Sequence, residues 1–132
     1  MKNNISPHVN IYKFPITAIS SITNRVTGLL LTGSFLGFGL GNLCGINYIQ
    51  KYNDLNKFSK KCINCLYIYP LSYHTLGGLR HIIWDKYPHL ITNPKVAKSS
   101  YYLFGSSVMI TFFIEKFIED SLILNYTESY KI

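Results

Sequence analysis

Charged positions divide this chain into three uncharged blocks separated by basic connectors. The first runs from Val26 to Ile49, 24 residues without a charge, where about 20 suffice to cross the hydrocarbon core of a bilayer. It holds Gly28, Gly33, Gly37, Gly39, Gly41 and Gly45, which would weaken a helix in water but allow close helix packing in lipid. The second, Cys62 to Leu79, has 18 residues with Pro70 and His74 inside it, so a kink near the proline is expected. The third, Ser99 to Ile114, has 16; Val96, Ala97, Phe117 and Ile118 extend it, and Lys98 and Lys116 can snorkel from its ends. The pattern predicts three transmembrane helices, over residues 26–49, 62–82 and 96–118, in one all-α membrane-anchor domain covering residues 1–132. There is no internal repeat and no low-complexity tract.

Composition agrees with that reading. The 132 residues are 48% hydrophobic and 14% charged, against roughly 25% charged in an ordinary soluble domain; this excludes disorder and a two-domain enzyme. The net charge of +7 falls between the apolar blocks, as expected of lipid-headgroup and partner contacts rather than of nucleic-acid binding. Counting Lys and Arg by side gives seven for the N-terminus plus second connector and six for the first connector plus C-terminus, which sets no orientation. Three crossings nevertheless put the start of the first helix and the end of the second on the same side.

Cys44, Cys62 and Cys65 are odd in number and lie in apolar sequence, so no disulfide framework is expected. Cys62 and Cys65 form a CxxC, but a tetrahedral zinc site needs four ligands and there is no second pair. The N-terminus has neither a cleavable signal nor an Arg/Ser-rich transit segment, so the mature chain is expected to start at Met1.

Polar chemistry gathers at the two ends that share a side. Pro15 suits a helix start, and Ser21 and Arg25 follow as i, i+4 neighbours with Gly28 beside them. They can aim a hydroxyl and a guanidinium at a ligand carbonyl or carboxylate; the alternative is a helix cap plus an interfacial Arg anchor. On the second helix His74, Gly78 and His81 share one face. A histidine about 9 Å inside the boundary is costly without a purpose, and neutral imidazole is a good axial ligand for haem iron. Arg80 and His81 lie where propionates would want cations. The alternative is a histidine bonded to another helix beside an interfacial Arg–Asp pair. Two axial histidines would need a second one facing His74, yet His8 and His89 lie outside the spans and His81 shares the face of His74. A b-type haem would therefore be shared with another chain.

Two blocks carry a family resemblance. Ser6-Pro7-His8-Val9-Asn10-Ile11-Tyr12, followed by Ser20 to Gly28, is similar to SPHLxIY and SITHRxTG, and His74 to Asp85 is similar to HxxxGxRHLxWD. The chain resembles the larger membrane anchor, the cytochrome b subunit, of mitochondrial succinate dehydrogenase. The resemblance implies half of a heterodimeric haem-binding bundle, with His74 an axial ligand of haem b. It further implies Ser21, Arg25 and Asp85 at the ubiquinone pocket, with Asp85 orienting Arg25, and Arg25, Arg80 and His81 as propionate candidates. The implied partners are a smaller membrane anchor, an iron–sulfur subunit and a flavoprotein, the chain docking the soluble pair in the inner membrane with its N-terminus on the matrix side. In this sequence Asn24 stands where the family commonly has His before the Arg; Asn cannot protonate, so the resemblance carries no propionate or proton-relay role to that position. Two rivals stay open: an anchor that has lost haem, and a di-haem cytochrome b of another oxidoreductase, which normally needs several intramembrane histidines. Alanine occurs only at Ala18 and Ala97 while Ile, Asn, Lys and Tyr abound, as expected of AT-rich, organelle-encoded synthesis.

Overall fold

The computed structural model describes residues 14–129, with side chains to residue 121. It is helical throughout: α1 is Ile16–Leu43, α2 Tyr48–Asn53, α3 Lys57–Lys86 and α4 Asn93–Ser129, with a 3-10 turn at Pro88–Leu90. The Ser6 to Tyr12 block and His8 lie outside the described residues.

The helix boundaries depart from the uncharged runs for local reasons. α1 begins at Ile16, with Pro15 as its N-cap, so Ser20 to Arg25 are helical rather than a lead-in to Val26. Its end comes at Leu43 although uncharged residues continue to Ile49. Gly45 takes φ 76°, and the Gly45 and Ile46 amides donate to the carbonyls of Asn42 (3.0 Å) and Gly41 (2.9 Å). This pair of bonds is a Schellman stop, which needs a residue free to adopt the left-handed conformation. Residues 46–49 instead lead into α2, capped by the Asn47 side chain, which accepts from Gln50 N at 3.1 Å. α2 folds back on α1: Tyr48 donates to the Gly37 carbonyl at 3.1 Å and its ring lies 4.4 Å from that of Phe38. A side chain at Gly41 would collide with the Tyr48 hydroxyl. α3 starts before the second uncharged run because Asn56 caps it, accepting from Ser59 N at 2.8 Å, and it continues through the buried Pro70 to Lys86.

The three long helices pack on one another, with α3 against both α1 and α4. Short connectors make successive helices antiparallel, which brings the start of α1, the end of α3 and the start of α4 to one end. At the opposite end Lys57 Nζ lies 2.6 Å from Glu119, and Lys61 3.8 Å from it. Each partner stabilises the other's charge: the hydrogen bond and attraction raise the Lys57 pKa and lower that of Glu119.

Burial is inverted relative to a water-soluble bundle. Among the described residues the buried large hydrophobic side chains are Tyr73 and Leu103, whereas Ser20, Thr27, Ser100, Ser107, Thr111 and Glu115 are buried polar ones. Large apolar residues face outward, Leu29 at 74% exposure, Phe35 at 73% and Phe113 at 75%. Small residues inside and Leu/Phe outside are what lipid requires, since it rewards close helix contact rather than a greasy core. On α4 the interior hydroxyls are satisfied by their own helix: Ser107 donates to Leu103 O (2.7 Å) and Thr111 to Ser107 O (2.8 Å). Among the described residues α1 and the Asn93–Ser121 part of α4 are long and apolar enough to cross a membrane. α3 is not, because Asn64, Ser72, His74 and Thr75 dilute its uncharged run; the expected three spans are three packed helices, two of which have the composition of a span.

Candidate functional site

The shared end of the three helices collects the polar groups. α1 turns Ser20, Asn24, Thr27 and Gly28, spaced along one face, toward α3. Where Gly28 lacks a side chain, the His74 imidazole comes close: a Cβ there would stand 2.9 Å from His74 Cε1. Reciprocally, a side chain at Gly77 would overlap Asn24 Oδ1. The two helices thus meet through paired small positions, each receiving a polar side chain from the other.

His74 Nδ1 lies 3.1 Å from the Asn24 carbonyl oxygen. A carbonyl can only accept, so Nδ1 is the donor, and in the neutral imidazole that leaves the lone pair on Nε2. Protonation at Nδ1 against a backbone carbonyl is the arrangement that orients a metal-ligating histidine, and His74 is exposed on the outside of the bundle. The donor chemistry fits a haem iron. Asn24, in contrast, is directed into the helix contact, with Oδ1 buried and unpartnered.

Ser21 and Arg25 occupy the neighbouring stripe of α1 and are exposed, as is Asp85. The expected orienting contact between Asp85 and Arg25 is not formed: among the described residues the ion pairs are those of Glu119. The reason is helical phase, because the face α1 turns to α3 is that of Ser20 and Asn24, which leaves Arg25 beside it rather than on it. His81 is exposed, its ring meeting the edge of Trp84 at 5.7 Å. His89 sits in the 3-10 turn, 6.0 Å from the Tyr87 ring. Cys44, Cys62 and Cys65 are free thiols.

Arg80, itself on α3, is engaged by both other long helices. Its Nη1 donates to Ser100 Oγ and its Nη2 to Ser20 Oγ, each at 3.2 Å, and its guanidinium stacks 4.6 Å from the Trp84 ring. It faces inward, whereas His74 and His81 share the outer stripe. Tyr73 joins the same cluster by donating to Ser20 Oγ at 2.9 Å and to its carbonyl at 3.2 Å, with its ring 5.0 Å from Phe104. Ser20, Tyr73 and Ser100 are each 0% exposed. Sequence reasoning missed these three. The signal available was position: a small polar residue on α1 and another on α4, each at the end where α3 carries Arg80.

Apolar exteriors, a small and polar interior and a polar cluster at one end define an integral membrane helix bundle. The sequence family specifies it further. Residues 1–114 match the model for the succinate dehydrogenase/fumarate reductase transmembrane subunit, and the chain belongs to that family. It is 39% identical over 89 residues to the mitochondrial succinate dehydrogenase cytochrome b560 subunit of Dictyostelium discoideum, covering 61% of this chain and 44% of the relative. To the pig protein of the same name it is 35% identical, over 61% of this chain and 52% of the relative. The Reclinomonas americana cytochrome b560 subunit is 33% identical over 116 residues, 81% of this chain and 80% of the relative. The chain spans about half the length of the Dictyostelium and pig relatives.

Proposed function

We propose that this chain is the larger membrane anchor of a succinate:ubiquinone oxidoreductase in the mitochondrial inner membrane, crossing it three times with the N-terminus on the matrix side. It docks an iron–sulfur subunit and a flavoprotein, and with a smaller anchor it completes a ubiquinone site and a haem b site. The observation that carries the reading is the seat of His74, whose Nδ1 meets the Asn24 carbonyl at 3.1 Å next to Arg25. One end of the bundle thereby offers an oriented imidazole and, on the adjoining stripe of α1, a hydroxyl and a guanidinium.

In this reading His74 Nε2 is the iron ligand contributed by this chain, and the haem supplies a one-electron store beside the quinone path. Arg25 and His81, on the outside, are the cations available to propionates, since both terminal nitrogens of Arg80 are engaged by serines. Ser21 and Arg25 hold the quinone headgroup by donating to its carbonyl oxygens. Reduction of a quinone takes up two protons, and a site at the membrane boundary keeps it near water. Asp85, free of Arg25 in this chain, is available to a group across the subunit boundary.

The experiment is a comparison of two assays on the purified complex, succinate to ubiquinone and succinate to a soluble artificial acceptor. Arg25→Ala should lower the first relative to the second by about tenfold or more, because a hydrogen bond from a charged donor contributes roughly 1.5 to 3 kcal/mol. Ser21→Ala should lower it about fivefold, the loss of a neutral bond. Quinone reduction left intact in both variants would contradict the assignment, whereas equal losses in both assays would mean failed assembly.

A further inference from the structure

Lipid gives α1 no preferred rotation about its own axis, because tails solvate all its apolar faces alike. Contacts with the neighbouring helices must set that rotation, and beside the Gly28–His74 and Gly77–Asn24 contacts the polar cluster at the end of the bundle is placed to do so. Ser20 Oγ receives two donors from α3, Tyr73 at 2.9 Å and Arg80 at 3.2 Å. Arg80 reaches on to Ser100 of α4 at 3.2 Å, and Ser100 donates in turn to its own Val96 carbonyl at 2.9 Å. Trp84 backs the guanidinium at 4.6 Å. One side chain thus ties three helices at a single level, with the serines and the tyrosine fully buried.

We infer that Arg80 and Tyr73 are positioning residues: by holding Ser20 they fix the rotation of α1 and so aim Ser21 and Arg25. Ser21 and Arg25 follow Ser20 and Asn24 by one residue, which turns them about 100° around the helix. When Ser20 and Asn24 are held against α3, the next stripe faces outward beside it. Releasing Ser20 removes one of the holds on that face and lets the stripe swing, against the Gly28 and Gly77 contacts that remain. The inference rests on the reading of Ser21 and Arg25 as quinone ligands only for its functional consequence; the rotation itself is independent of it.

The test uses the assembled complex. Ser21→Cys is introduced with Cys44, Cys62 and Cys65 replaced by serine, and its labelling rate with a membrane-permeant maleimide is measured. Combining it with Tyr73→Phe and Arg80→Leu should change that rate by more than about fivefold, the equilibrium shift expected for one lost hydrogen bond, since both bonds to Ser20 are removed. An unchanged rate overturns the inference. Tyr73→Phe alone keeps the ring packing on Phe104 and is read in the same way should the combined variant fail to assemble.

The kinetic arm uses the native cysteines and Ser21. Tyr73→Phe should raise the ubiquinone KM about fivefold with kcat held, and should add nothing to the effect of Arg25→Ala, since it acts through that face. Additive effects would mean Tyr73 acts by another route and would overturn the inference. If Ser21→Ala and Arg25→Ala leave quinone reduction intact, the quinone reading has failed, and the labelling rate alone decides the rotation. A haem spectrum altered by Arg80→Lys with the labelling rate unchanged would make Arg80 a haem contact, and would equally overturn the positioning role.

Discussion

Glycine at position 28 decides how closely a histidine can approach a helix, and that contact is where single residues matter most. A methyl group there would stand 2.9 Å from His74 Cε1, closer than carbon atoms pack, so Gly28→Ala must shift the imidazole from its seat beside the Asn24 carbonyl. The expected outcome is a haem spectrum shifted or weakened in the purified complex while both soluble subunits remain bound; an unaltered spectrum would count against the seat described. Much of this was legible beforehand. His74 stood out as an ionisable group inside an uncharged run, and Ser21 with Arg25 as i, i+4 neighbours. What the pattern could not reveal was which side of α1 each group takes, because two adjacent polar stripes, Ser20 with Asn24 and Ser21 with Arg25, look equally suited to face a neighbour. The inward bonds of Arg80 are hidden for the same reason: a cation at a membrane boundary reads as outward until the serines it bonds are located on two other helices.

At the scale of elements, uncharged runs located the helices and local backbone chemistry set their ends. The run ending at Ile49 concealed the stop at Gly45, where a left-handed φ of 76° is needed by the Schellman bonds rather than by any hydrophobic pattern. Gly45→Ala should therefore destabilise the turn between α1 and α2 by about 1 kcal/mol, since an L-residue in that conformation is strained. The readout is the thermal midpoint of the assembled complex, which should fall while the haem spectrum holds. The opposite tie, between α3 and α4, is electrostatic. Glu119 has a lowered pKa from its Lys57 hydrogen bond and Lys57 a raised one. The stabilisation is therefore present at neutral pH, is lost as pH falls through the depressed Glu119 value, and is lost again as pH rises through the elevated Lys57 value. Because both groups are solvent-screened, high salt should abolish most of the difference between wild type and Glu119→Gln at pH 7; a difference that persists in high salt would point to a desolvated pair.

At the scale of the whole molecule, the outward Leu and Phe side chains and the inward serines describe a unit that is incomplete in water and, on the present reading, incomplete in lipid too. His74 is exposed rather than enclosed, Ser21 and Arg25 look outward, and among the described residues neither His81 nor His89 is placed to face His74 across a shared ligand. On the proposed function a second chain completes both sites, in keeping with membership in a transmembrane-subunit family. Expressed without its smaller membrane partner, the chain should not hold haem in a stable six-coordinate low-spin form; low-spin haem retained by the isolated chain would refute the shared site. The most direct measurement on the central claim is the reduced-minus-oxidised spectrum of the purified complex after succinate addition, wild type against His74→Ala. Oriented by the Asn24 carbonyl, His74 should be this chain's ligand, so a low-spin b-type signal in wild type should be weakened or lost in the variant while the soluble subunits stay bound. A His74→Ala complex with the wild-type haem content and spectrum would contradict the account.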